Sequence, residues 1–154
     1  MDRVGLIVAT FGCLGYVPVA PGTFGAAAGL VVFYAVRSIG SQGVELAAII
    51  VLFAVGVWSA TVAERHLGDV DPAPVVIDEV VGMLVTLAFL PVSAAGVFVG
   101  FLVFRVLDVM KPWPSARFER LHGGLGVMAD DGMAGVYGNL AMRGLIAMAP
   151  GWFA

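Results

Sequence analysis

Two carboxylates stand side by side inside an oily stretch, Val76-Ile77-Asp78-Glu79-Val80-Val81-Gly82-Met83. Burying two unpaired carboxylates is very costly, so a cation must be near. Mg2+ suits the role, because it prefers carboxylate oxygens and binds phosphate oxygens at the same time. The plainer reading makes Asp78 a helix N-cap, with Glu79 solvated in the first turn. A second group, Phe104-Arg105-Val106-Leu107-Asp108-Val109-Met110-Lys111-Pro112-Trp113-Pro114, spaces Arg105, Asp108 and Lys111 at i, i+3 and i+6, on one helix face. Two cations around one carboxylate suit a phosphate dianion, the arginine through forked hydrogen bonds. The plainer reading is a ladder in which Asp108 bridges both cations. That ladder leaves the surplus positive charge of an oily segment unexplained.

A third group is a glycine-rich run, Gly123-Gly124-Leu125-Gly126, followed by Asp130-Asp131-Gly132 and Gly135. Here a loop opens a helix headed by two aspartates, either as simple compensation of the helix dipole or as a second metal-binding pair. Gly132 and Gly135 would allow close helix approach. The fourth group is Pro18-Val19-Ala20-Pro21-Gly22-Thr23-Phe24-Gly25, where the Thr23 hydroxyl and free amides at a helix start offer an anion site, or simply a tight turn and an N-cap.

The rest of the chain narrows what could position these residues. Its 154 residues fit one domain, residues 1–154. They are 60% hydrophobic and 12% charged, against about 25% charged for an ordinary soluble domain, which excludes intrinsic disorder. Net charge is −3, with no basic run, so nucleic acid is not an expected partner. The single Cys13 closes no intrachain disulfide, and in its apolar stretch reads as a small buried hydrophobe. His66 and His122 stand outside any H-E-x-x-H pattern and read as interfacial or capping residues. Charge is concentrated. One group runs Glu64, Arg65, Asp69, Asp71, Asp78, Glu79, and another Arg105, Asp108, Lys111, Arg117, Glu119, Arg120, Asp130, Asp131, with no charge from Val80 to Phe104. An oily protein that gathers its charge in this way is building a site.

The long apolar runs lack strand alternation and predict an all-α fold: a compact bundle of roughly five to seven helices, membrane-embedded or membrane-associated. Helices are expected at Thr23–Val36 with Thr23 as N-cap, at Leu46–Ala63, at Val75–Phe89, at Ala94–Met110 with Ser93 as cap, and at Asp130–Met148. A short turn is expected at Arg117–Leu121, and Val4–Ala20 is read as mature chain leading into a loop. Were Val80 to Phe104 one straight helix, its ends would lie ~37 Å apart and the charge groups could not share a ligand. Pro91 and Ser93 argue instead for a hairpin that returns both groups to one end.

In order and spacing, these motifs resemble the phosphatidylglycerophosphatase A family from about Gly12 to about Gly135. Ala26, Ser115 and Gly132 depart from the residues usual there, and none removes a carboxylate or a cation. The resemblance implies a Mg2+-dependent lipid phosphatase of bacterial phospholipid synthesis. Such an enzyme would hydrolyse phosphatidylglycerophosphate at the cytoplasmic face of the inner membrane. Asp78, Glu79, Asp108, Asp130 and Asp131 would be catalytic, with Asp78, Glu79, Asp130 and Asp131 on the metal. Arg105, Lys111 and Thr23 would meet the substrate phosphate. No Cys-x5-Arg pattern is present, because Val19 stands where the arginine would follow Cys13. Attack by a metal-activated water is therefore expected, with an aspartyl-phosphate as the other route. The alternative from another class is a non-enzymatic membrane subunit or scaffold using buried ion pairs. Five carboxylates against two nearby helix cations favour metal over pairing.

Overall fold

The structure is a computed structural model that describes residues 2–113, 115–118, 121 and 123–154. Pro114, Glu119, Arg120 and His122, each given a part in the sequence reading, lie outside the described residues. The described residues form helices and no strand, as expected. In chain order the helices are α1 (Asp2–Ala9), α2 (Pro21–Arg37), α3 (Gln42–Leu67), α4 (Ile77–Leu87), α5 (Ala94–Met110), α6 (Ser115–Phe118), α7 (Gly124–Met148) and α8 (Pro150–Phe153), with a 3-10 turn at Leu14–Tyr16.

The axis of the bundle is α4, the shortest of the five helices that meet around the core. Nine of its residues are buried, from Ile77 and Asp78 through Leu87. Such all-round burial requires neighbours on every side, and α4 packs against α2, α3, α5 and α7. Small residues set how closely they approach. A methyl group on Gly29 of α2 would press on Met83 Cβ at 2.7 Å. One on Gly135 of α7 would meet the Gly82 carbonyl at 2.5 Å, and one on Gly82 would meet the Phe104 ring at 2.5 Å. Gly132 is different from Gly135: a methyl there touches only Phe53, at an ordinary 3.6 Å.

The reversal between α4 and α5 is present. Helix α4 stops at Leu87, Phe89 takes a left-handed φ of 59°, and Ser93 caps α5 by accepting a hydrogen bond from the Gly96 amide at 3.1 Å. The carbonyls freed at the end of α4 do not stay orphaned. Asn139 of α7 donates from Nδ2 to the carbonyls of Val85, Thr86 and Ala88 at 3.1, 3.2 and 2.9 Å. The same end carries a second polar contact that the sequence reading passed over. Buried Glu45 accepts from the Phe89 amide at 3.1 Å and lies 3.9 Å from Arg37, which also donates to the Leu90 carbonyl. That pair ties the α2–α3 and α4–α5 turns together.

Several boundaries differ from expectation. The segment after Met1 is a helix, α1, packed on α3, rather than part of a loop. Helix α2 starts at Pro21, with Ala20 as its N-cap residue at φ 48°, so Thr23 is not the cap. Proline at the first helical position explains the earlier start, since its missing N–H would be unpaired there anyway. Cys13 is exposed, in a left-handed conformation with φ 73°, and is not a core residue. Helix α3 has 26 residues and is the one described helix long and apolar enough to cross a membrane. Only 22% of its apolar window is buried inside the bundle.

Candidate active site

Both charge groups reach the same end of the bundle, opposite the Arg37–Glu45 pair. A cavity of about 250 Å3 opens there. Asp78 and Glu79 enter it from the first turn of α4, Arg105 and Asp108 from the last turns of α5, and Asp131 from α7. Lys111, just past α5, and the Ala20–Gly22 start of α2 complete the wall, together with the Asp71–Ala73 loop. Three residues of this wall hold left-handed backbone angles that non-glycine residues rarely take: Ala20 at φ 48°, Asp71 at 50° and Lys111 at 44°. Strain of that kind, costing about 1–3 kcal/mol each, persists only where the surrounding packing imposes it.

Asp78 is not an N-cap. Val76 holds that position, so Asp78 and Glu79 are the second and third residues of α4. The amino end of the helix dipole favours their ionised forms there, but burial opposes them more strongly. One oxygen each from Asp78, Glu79 and Asp131 lies within 4.8 Å of the others. Asp78 Oδ1, Glu79 Oε2 and Asp131 Oδ2 are sealed from solvent without a hydrogen-bond partner. Loss of hydration, then the neighbouring Glu79 charge, pushes Asp78 well above the usual carboxylate range. Loss of hydration, then the Asp78 and Asp108 charges, does the same to Asp131. Burial pushes Glu79 up to about 8. These are hard oxygen donors on three converging side chains, each with an unpaired oxygen and short of positive charge, and they fit a divalent cation.

Room for this cluster comes from two glycines of α2. A methyl on Gly22 would overlap Glu79 Oε1 and lie 3.1 and 3.2 Å from the Arg105 nitrogens Nη1 and Nη2. A methyl on Gly25 would press on Val76 at 2.9 Å and on Glu79 Oε2 at 3.2 Å. Neither glycine was singled out from the sequence as a packing residue of the site, and Asp71 was counted only as loop charge. Thr23 does not line the cavity; Gly22, its neighbour, does.

Asp130 and Asp131 have separate surroundings. They do not head a helix: α7 begins at Gly124, which puts them in its second turn. Dipole compensation at a helix start is therefore not their role. Successive helical residues point ~100° apart, so Asp131 faces the carboxylate cluster while Asp130 meets Lys111 Nζ at 2.7 Å. Arg105 Nη1 donates to Asp108 Oδ2 at 2.6 Å. Of the ladder offered as the plainer reading, the Arg105–Asp108 rung is present, and Lys111 makes a close ion pair with Asp130 on α7.

The sequence profile of the phosphatidylglycerophosphatase A family matches residues 7–146. This chain belongs to that family. It is 37% identical to the Escherichia coli phosphatidylglycerophosphatase A over 85% of this chain and 76% of that protein. It is 31% identical to the Haemophilus influenzae protein of the same name over 89% of this chain and 85% of the relative. A Bacteroides thetaiotaomicron protein provisionally named a phosphatidylinositol-3-phosphatase is 38% identical over 80% of this chain and 81% of its own length. No solved structure matches the chain significantly. The relatives named for a reaction are phosphatases acting on phospholipid headgroups, and the chain is an enzyme of that class.

Proposed function

We propose that this protein hydrolyses the phosphomonoester of phosphatidylglycerophosphate to phosphatidylglycerol and inorganic phosphate, with Mg2+ held by Asp78, Glu79 and Asp131. The observation that carries the reading is the convergence of three carboxylates, each with a buried oxygen that lacks a hydrogen-bond partner, beside Arg105 and Lys111, in a chain of this family. A divalent ion bound there would lend charge to the phosphoryl oxygens and lower the pKa of a water, so that it could lose a proton and act as the nucleophile.

The chain's own residues do the rest. Arg105 presents its planar fork to the phosphoryl oxygens, and Asp108 fixes which way that fork points. Lys111 adds a compact positive charge, and Asp130 anchors it. Negative charge on the transferring group is thereby met by donors already in place, where electrostatic stabilisation of phosphoryl transfer is most effective. Asp130, expected from the resemblance to be a metal ligand, is assigned here to Lys111. The reaction is assigned to the cytoplasmic face of a bacterial inner membrane, a placement supported by the family and by the apolar α3.

The competing reading, a membrane scaffold held by buried ion pairs, describes the Arg37–Glu45 end, where one cation meets one carboxylate. It does not describe the cavity, where carboxylates exceed cations and keep oxygens unpaired. The deciding experiment is phosphate release from phosphatidylglycerophosphate by the purified protein. EDTA should abolish release and Mg2+ should restore it. Full turnover in a metal-free preparation would refute the carboxylate reading.

A further inference from the structure

A second concave feature lies beside the catalytic cavity, of opposite chemistry. It is a groove of about 370 Å3 between α1 and α3, walled by Ile7, Val8 and Phe11 on one side and Leu52 and Val55 on the other. Ile77 closes its inner end. Its origin is geometric. Near the start of α1, Gly5 sits so close to Val62 that a methyl would lie 2.6 Å from it, and further along Ala9 packs in one cluster with Ala60 and Ala63. Helix α1 then ends at Ala9, and the chain turns away through Phe11, Gly12 and Cys13, three successive left-handed residues. Helix α3 continues well past that point, so Leu52 and Val55 stay only half-buried along the groove.

Two observations say what covers it. The groove and the catalytic cavity share the start of α4: Ile77 lines one and Asp78, the next residue, lines the other. The wall between them is the short segment 75–78, fixed to α1 by the Val76 amide donating to the Ala9 carbonyl at 3.0 Å. At its other side the groove runs onto α3, the helix with the apolar length to cross a membrane and little of it buried in the protein. An apolar trough that begins next to the carboxylate cavity with Arg105 and Lys111 and ends on the long apolar α3 has the form required by an amphiphile with a phosphate head.

We propose that this groove holds an acyl chain of the lipid whose phosphate occupies the Asp78–Glu79–Asp131 cavity. The inference rests on the function proposed above and adds to it a distinct subsite. Binding energy gained on the acyl chain would position the headgroup, so the groove should set selectivity for long-chain lipid phosphates over short-chain ones.

The test uses the full-length protein in detergent micelles with two substrates, dioleoyl phosphatidylglycerophosphate and its water-soluble dibutyryl analogue. Leu52→Trp and Val55→Trp fill the groove from α3, and Ile7→Trp fills it from α1. Ile50→Trp, at an exposed α3 position outside the groove, is the control. The groove variants should lower kcat/KM for the dioleoyl lipid by about tenfold or more, mainly through KM, and leave the dibutyryl lipid within about twofold. The control should change neither substrate. Equal losses on both substrates, or none on the dioleoyl lipid, overturn the proposal; in the latter case ordinary bilayer lipid or a second copy of the chain covers the groove. A dioleoyl analogue carrying a photoactivatable group on the acyl chain gives a readout that does not depend on turnover. Labelling in residues 7–12 or 52–55 supports the subsite, and labelling spread evenly over the apolar surface overturns it. Wild-type protein that releases phosphate from neither lipid defeats the function itself, a result distinct from any pattern among the variants.

Discussion

At the scale of single residues, the site divides adjacent aspartates between two tasks. Asp131 shares its cluster with Asp78 and Glu79, whereas Asp130 pairs with Lys111 at 2.7 Å. Asp131→Asn removes a carboxylate charge at constant size, so on the proposed Mg2+ site it should weaken binding by at least about tenfold, measured by calorimetry without substrate. Asp130→Asn should leave that titration within about twofold and instead raise KM, matching the effect of Lys111→Ala. Identical metal titrations for the two asparagine variants would sink the division. The two carboxylates were legible in the sequence, but their division was not. Which way each side chain points depends on where the helix begins, and the glycines at 123, 124 and 126 read as loop because glycine weakens helices. Packing overrode that preference: a methyl on Gly124 would strike the Val57 carbonyl, and one on Gly126 the Leu121 carbonyl. The run is glycine so that α7 can start tight against α3 and α6.

At the scale of elements, the carboxylate cluster depends on how closely α2 lies against α4. Gly22 and Gly25 leave the space in which the Glu79 carboxylate and the Arg105 guanidinium sit. Gly22→Ala should therefore displace Glu79, lowering kcat by about a hundredfold and weakening Mg2+ binding. Gly144→Ala in α7, where a methyl meets nothing within 4 Å, should leave both unchanged. If Gly22→Ala binds Mg2+ and turns over normally, the close approach of α2 plays no part in the site. The hairpin between α4 and α5 was readable from Pro91 and Ser93, because proline and a capping serine act locally. The α2 approach was not readable, since it depends on a non-local contact between residues 57 positions apart in sequence, Gly22 and Glu79. Nor was the other anchor of the hairpin, Asn139, which reaches the α4 carbonyls from across the bundle. Asn139→Ala removes the side-chain donor to these carbonyls, of which Val85 keeps the Ala88 amide, and should destabilise the fold by about 1–3 kcal/mol in chemical denaturation. Mg2+ affinity of the folded fraction should not change, because Asn139 sits at the end of α4 remote from Asp78. A loss of metal affinity with stability intact would contradict that assignment.

At the scale of the whole molecule, the buried carboxylate cluster sets how stability responds to pH. Asp78, Glu79 and Asp131 all titrate higher in the folded protein than in an unfolded chain, because burial disfavours their charged forms. Below the unfolded value all three are neutral in both states, and the fold loses nothing through them. As pH rises from 4.5 towards the folded value of about 8 for Glu79, the unfolded chain ionises while the folded one holds its proton. The folded state then binds more protons, and stability falls with rising pH. A divalent cation reverses the slope, since it binds only the ionised carboxylates and only in the fold. At a hundredfold excess over Kd it would add about 2.7 kcal/mol. Thermal unfolding in detergent should accordingly show a Tm that declines from pH 5 to pH 8 in EDTA. With saturating Mg2+ the gain in Tm should be smallest at pH 5 and largest at pH 8. The triple variant Asp78→Asn, Glu79→Gln, Asp131→Asn removes both the titrating groups and the ligands, so its Tm should vary less with pH and ignore Mg2+. A wild-type protein whose pH dependence matches the triple variant, with no response to Mg2+, would show that these three carboxylates are neither strained by burial nor relieved by a cation. The whole-molecule measurement needs no substrate, so it tests the metal centre independently of the identity of the lipid.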